Sequence, residues 1–88
     1  MRSEEALAML AIYLKVDRTY RPVKDSTGRR WHLRAARGDF EILTTGAKWY
    51  DTRAKKGGGG AIDLAMYLEE LSFVDAVKCL RQRIRSHG

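Results

Sequence analysis

The stretch Lys55-Lys56-Gly57-Gly58-Gly59-Gly60-Ala61-Ile62-Asp63-Leu64-Ala65-Met66-Tyr67-Leu68 decides how the rest of the chain is read. Two lysines and four consecutive glycines run straight into an apolar pattern of helical period, Ile62, Leu64, Ala65, Leu68 and Leu71. Glycine admits backbone conformations closed to other residues and lets a partner come close to the main chain. A helix that starts just after it exposes free N–H groups and the positive end of a dipole, both suited to an anion such as phosphate. Two readings of the glycines stand side by side: a hinge after a hairpin, or a backbone nest for phosphate. The pattern Gly-x-x-x-x-Gly-Lys-Ser/Thr is absent, so a nucleotide-hydrolysing loop is not expected. Asp63, one turn in, is expected to cap the helix or to pair with an arginine.

Downstream, Ser72 can cap a final helix, with Asp75 three residues on and Leu71 placed to staple onto Ala76. Phe73, Val74, Val77, Leu80 and Ile84 are expected to form its buried face, and Arg81, Arg83 and Arg85 suit its C-terminal end. Upstream the period changes from helical to alternating. Lys48–Asp51 reads as a short strand after a Thr45-Gly46 turn, Phe40–Thr44 as another after Arg37-Gly38-Asp39, and Arg30–Arg34 as a third. Trp31 shares a face with Leu33 and is read as core. Of Trp49 and Tyr50 one must face outward, and alternation leaves open which. Asp25-Ser26-Thr27-Gly28 is a turn, and Tyr20–Lys24 an edge strand, because Pro22 cannot donate in a central ladder. Ser3–Lys15 reads as a helix: Ser3 as cap, Glu4 and Glu5 in its first turn, and Leu7, Leu10, Ala11 and Leu14 at helical spacing. The expected fold is one α+β domain over residues 1–88. It has an N-terminal helix, a small antiparallel sheet of three to four strands and two C-terminal helices.

Eighty-eight residues bury one modest core. The single cysteine, Cys79, excludes an internal disulfide and reads as a small core residue. With no signal-like or membrane-spanning run, the chain is expected to be cytoplasmic and away from the membrane. Its 17 Lys+Arg against 11 Asp+Glu give a net charge of +6. Residues 18–56 hold eleven basic and four acidic side chains, a surplus of seven, whereas the remainder holds six and seven. A basic middle on a near-neutral frame points to a polyanionic partner. Arg29, Arg30, His32, Arg34 and Arg37 lie on or beside one strand; Lys48, Trp49, Tyr50, Arg53, Lys55 and Lys56 lie on the adjacent hairpin. Cations that track phosphates, interleaved with aromatics that stack bases, are how single strands are bound. No Cys–His or Ser–His–Asp set is placed by any motif, so neither an enzyme nor a cofactor is expected.

This order of elements resembles the N-terminal zinc-binding domain of bacterial replicative primases, from about Leu7 to Ile84. Trp31-His32-Leu33 matches that family's first strand, Asp39-Phe40 its second and Tyr50–Gly59 its hairpin. Gly59-Gly60-Ala61-Ile62 matches its first C-terminal helix start, and Leu71-Ser72-Phe73-Val74-Asp75-Ala76-Val77 the last. The four metal ligands of the family, three Cys and one His, fall on Arg34, Arg37, Thr52 and Lys55. Guanidinium and ammonium groups stay protonated and would repel a dication, so a metal-free relative of the zinc ribbon is implied. His32 and His87 cannot make a site with one distant cysteine. Similar zinc-less variants, with Trp-Tyr-Asp followed by Gly-Gly-Gly-Ala-Ile-Asp-Leu, occur in primase and mobilisation proteins of plasmids and other mobile elements. The resemblance implies a nucleic-acid-binding module for single-stranded DNA or template, in replication or transfer of such an element. The alternative is an adaptor that docks through its helices onto a helicase, relaxase or primase. Two tryptophans and two helices are expected to stand in for the metal's contribution to folding.

Overall fold

Residues 1–21 and 28–87 are described by a computed structural model. The element order is α1 (Ser3–Leu10), β1 (Tyr13–Val16), β2 (Arg29–Ala35), β3 (Gly38–Thr45), β4 (Lys48–Asp51), β5 (Lys56–Gly59), α2 (Ala61–Glu69) and α3 (Phe73–His87). The architecture is α+β as expected, but the sheet has five strands, antiparallel throughout and in the order β1-β2-β3-β4-β5.

Both extra strands correct the sequence reading. The first helix stops at Leu10, and Tyr13–Val16 pairs with β2, Tyr13 opposite Arg34 and Val16 opposite Trp31. Leu14 fits a helical stripe and an inward strand position equally well. The exposed edge of β2 decides, because it offers Tyr13–Val16 a ladder of hydrogen bonds and suits their aromatic and β-branched side chains. Tyr20 and Arg21 are not in a strand, and the rest of the expected edge strand and turn, residues 22–27, lies outside the described residues.

The glycine run is neither hinge nor nest. Lys56–Gly59 is a strand, with Tyr50 opposite Gly57 and Trp49 opposite Gly58. Glycine is needed there for closeness. A Cβ at Gly57 would lie 2.9 Å from both the Trp49 carbonyl oxygen and Tyr50 Cδ1. One at Gly58 would collide with the Asp63 carboxylate and approach Trp49 Cζ2 to 2.9 Å. Asp63 therefore lies against Gly58; among the described residues it makes neither the expected capping bond nor an ion pair.

The helices lie on one side of the sheet, α1 and α2 against it and α3 packed on both of them. Leu33, Ala35, Phe40, Ile42 and Trp49 point inward to Ala6, Leu7, Leu10, Leu64, Ala65, Leu68, Ala76 and Leu80. Each large aliphatic side chain buried this way contributes about 1.5–3 kcal/mol. Ser3 is buried and does not cap: Arg2 holds the cap position, and Ser3 ties α1 to the sheet, its Oγ donating to the Lys48 carbonyl at 3.0 Å. Ser72 does cap α3, its Oγ accepting from the Asp75 N–H at 3.2 Å. The face of α3 is rotated from expectation. Ala76 and Leu80 are buried, but Phe73, Val74 and Ile84 are exposed, because the core in front of α3 is already filled by α1 and α2.

The turns where the resemblance would place metal ligands are held by side chains. Asp51 is buried; its Oδ1 accepts from the Arg53 and Ala54 N–H groups at 2.9 and 3.0 Å, and its Oδ2 accepts from the Tyr67 hydroxyl. Arg37, in the β2–β3 turn, lies over the Phe40 and Tyr67 rings and donates to the Tyr67 carbonyl at 2.7 Å. The Tyr67 ring packs on Trp49 with centroids 4.9 Å apart. Tyr67 thus joins the two turns. Burial, then its hydrogen bond to Asp51, pushes its phenol up to about 12.

Candidate nucleic-acid interface

With the helices on one face, the other face of the sheet is open. Strand alternation sends Tyr13 and Lys15 of β1, Arg30, His32 and Arg34 of β2, and Asp39, Glu41 and Leu43 of β3 to it. Lys48 and Tyr50 of β4 join them. This is the surface on which the expected site residues gather, and it divides into two unlike parts.

On the β1–β3 side the basic side chains of β2 are paired, and Lys15 of β1 is left without a carboxylate among the described residues. Arg30 contacts Asp17 at 2.7 Å and Glu41 at 3.3 Å, and its guanidinium lies 5.2 Å from the Tyr20 ring centroid. His32 Nε2 lies 3.0 Å from the same Asp17 oxygen. Hydrogen bonds from the Thr19 hydroxyl and from His32, then from the Thr19 N–H and Arg30, hold the Asp17 carboxyl well below the usual carboxylate range. Arg34 pairs with Asp39 at 2.9 Å, which raises its own pKa. Arg29 reaches Glu4 at 3.4 Å, and Arg37 reaches Glu70 at 3.4 Å from the helical side. Asp17, His32 and Glu41 bring potential ligand atoms within 4.8 Å of one another, the one such group among the described residues. The Arg30 guanidinium already supplies its positive charge.

The β4–β5 side differs. Lys48, Arg53 and Lys55 are exposed and have no carboxylate partner among the described residues; Lys56, also exposed and unpaired, stands opposite Asp51 and so points to the helical side. The alternation left open by the sequence is settled: Trp49 is 5% exposed and belongs to the core, whereas Tyr50 is 41% exposed. Trp49 is therefore removed from the set of surface contacts. Tyr50 stands over Gly57, between Lys48 and the turn that carries Arg53 and Lys55; no side chain on β5 screens its ring. A shallow depression of about 400 Å³ lies beside it, floored by Leu43 and Thr45. Lys55 has φ 57°, a left-handed conformation that the Asp51 bonds impose on the turn. A second depression, about 510 Å³, lies toward the far end of the face, where Arg53 meets Tyr13, His32 and Arg34. Tyr13 is 57% exposed and was missed as a site residue because its segment reads as helix.

Trp31 is half-buried against the core, its indole N–H donating to Thr44 Oγ1 at 2.9 Å. Cys79 is likewise half-buried against the core. No helix among the described residues is long and apolar enough to cross a membrane. Compared with known proteins, the chain matches no family model, no curated protein and no solved structure.

Proposed function

We propose that this chain is a nucleic-acid-binding module that holds single-stranded DNA across its open sheet face, anchored at the β4–β5 hairpin. The observation that carries it is the pairing of an exposed, unscreened Tyr50 with three cations, Lys48, Arg53 and Lys55, that have no carboxylate partner among the described residues. Stacking one base on an aromatic ring is worth about 1–3 kcal/mol, and unpaired cations beside it release counterions when phosphates bind. Tyr13 and Arg53, in the second depression, continue the track toward β1. A base lying flat on a sheet needs no groove of a duplex, which favours single strands.

The module has no chemistry of its own in this reading. Its resemblance to primase zinc-binding domains supports a role in template recognition for replication or transfer of a mobile element, inside the cell where that DNA is handled. The test is a fluorescence-anisotropy titration with a labelled single strand and the matching duplex at two salt concentrations. The single strand is expected to bind more tightly, and its affinity to fall with a log–log salt slope of about −0.7 per phosphate contact. Tyr50→Ala is expected to weaken binding by about 1–3 kcal/mol and leave that slope unchanged. No binding at low salt, or a Tyr50→Ala variant that binds like the parent, overturns it.

A further inference from the structure

The side of α3 that the sequence marks as core is left in solvent. Phe73, Val77, Leu80 and Ile84 recur at spacings of four, three and four, the seam of a helix that packs on another helix. Only Leu80 is buried by this chain; Phe73 is 60% and Ile84 47% exposed. Val77, Leu80, Arg81 and Ile84 line one side of a groove of about 610 Å³, and Ala61, Ile62 and Asp63 of the first turn of α2 line the other, with Met1 and Ala47 also in its lining. From Phe73 to Ile84 the stripe runs about 16 Å, the length of three helical turns. Arg81 stands on the rim of the groove, with Lys78 and Arg85 beside it at helical spacing farther round α3, and none of the three has a carboxylate partner among the described residues.

We propose that this groove docks an acidic amphipathic helix of another protein. The apolar stripe takes the partner's apolar face, and the Lys78–Arg81–Arg85 row selects a partner whose flanking positions are Glu or Asp. A second copy of this chain is a poor occupant. It would set one basic row against another, with only Asp75 on α3 and Asp63 in the groove to offset the three cations on each side. The groove lies on the helical side of the molecule, away from the open sheet face, so both surfaces can be filled together.

The test uses a synthetic helical peptide of two heptads with Leu at the seam and Glu flanking it, and a control with Lys in place of Glu. The Glu peptide is expected to shift the amide resonances of Ala61, Ile62, Val77 and Ile84 and not those of Tyr50 or Lys56. Ile84→Asp, at an exposed position and with folding checked by circular dichroism, should weaken it by about tenfold or more. Arg81→Glu should weaken the Glu peptide and strengthen the Lys peptide, a swap that loss of structure cannot produce. Equal binding of the two peptides, absence of shifts at the groove, or self-association of the chain through it overturns the proposal. Single-strand binding by Ile84→Asp should match the parent, so failure of one surface leaves the other standing.

Discussion

The two halves of the open sheet face hold similar numbers of basic residues and differ in almost everything that matters for binding. On β1–β3, Arg30, His32 and Arg34 are drawn into contacts with Asp17, Glu41 and Asp39. On β4–β5, Lys48, Arg53 and Lys55 surround an exposed tyrosine and have no carboxylate partner among the described residues. A phosphate arriving at the first half must displace a carboxylate from each cation of β2, whereas at the second it displaces only water and counterions. The lesson is about counting. The surplus of seven in residues 18–56 is real in sequence, but Arg29, Arg30, His32 and Arg37 are paired with Glu4, Asp17 and Glu70, all from outside that window. Charge footprints belong to surfaces, and a window along the chain measures them only when its neighbours in space are also its neighbours in sequence.

The largest effect should come from the residue that holds the free half in shape. Replacing Asp51 with Ala leaves the Arg53 and Ala54 N–H groups and the Tyr67 hydroxyl without their acceptor, at a cost of about 3 kcal/mol. In a domain of this size that is a large part of the total stability, so the melting temperature should fall steeply. An unchanged melt would mean that the hairpin is held by its ladder alone. Next, Lys48, Arg53 and Lys55 changed together to Ala should weaken single-strand binding about a hundredfold at 0.1 M salt and lower the salt slope by about two. The matching change on the paired half, Arg34→Ala, should alter affinity little. Its partner Asp39 is equally exposed, so stability should move by no more than about 0.5 kcal/mol. Equal losses from the two halves would erase the distinction between them.

The smallest effect concerns pH. The Tyr67 phenol is neutral where it donates to Asp51, and its raised pKa means that the folded state favours the protonated form. That stability is therefore fully present below the ordinary tyrosine value of 10.0 and is lost as pH rises through about 12. Chemical denaturation across this window should show the loss in the parent and not in Tyr67→Phe. The opposite sign holds for Asp17, whose lowered pKa contributes stability above the ordinary carboxylate range, lost on acidification.

Local signals carried a good part of this structure. The Ser72 cap, the helix opening after Gly60 and the alternation through β2, β3 and β4 are all written in neighbouring residues, because caps and periods depend on contacts within a few positions. Where the outcome rests on residues far apart, the same sequence was silent or pointed elsewhere. Nothing near Tyr13 marks the end of α1; the free edge of β2 ends it. Nothing in four glycines says strand; the Trp49 and Tyr50 backbone beside them does, since only residues without a Cβ fit that close to the Trp49 carbonyl and the Asp63 carboxylate. Whether Trp49 or Tyr50 faces water waits on which side of the sheet the helices cover. The chain by itself determined an N-terminal helix, the three central strands and two C-terminal helices, in that order, and the surplus of positive charge. Only the tertiary structure decided which cations remain free, because a carboxylate neutralises the charge that lies beside it in space, however distant along the chain.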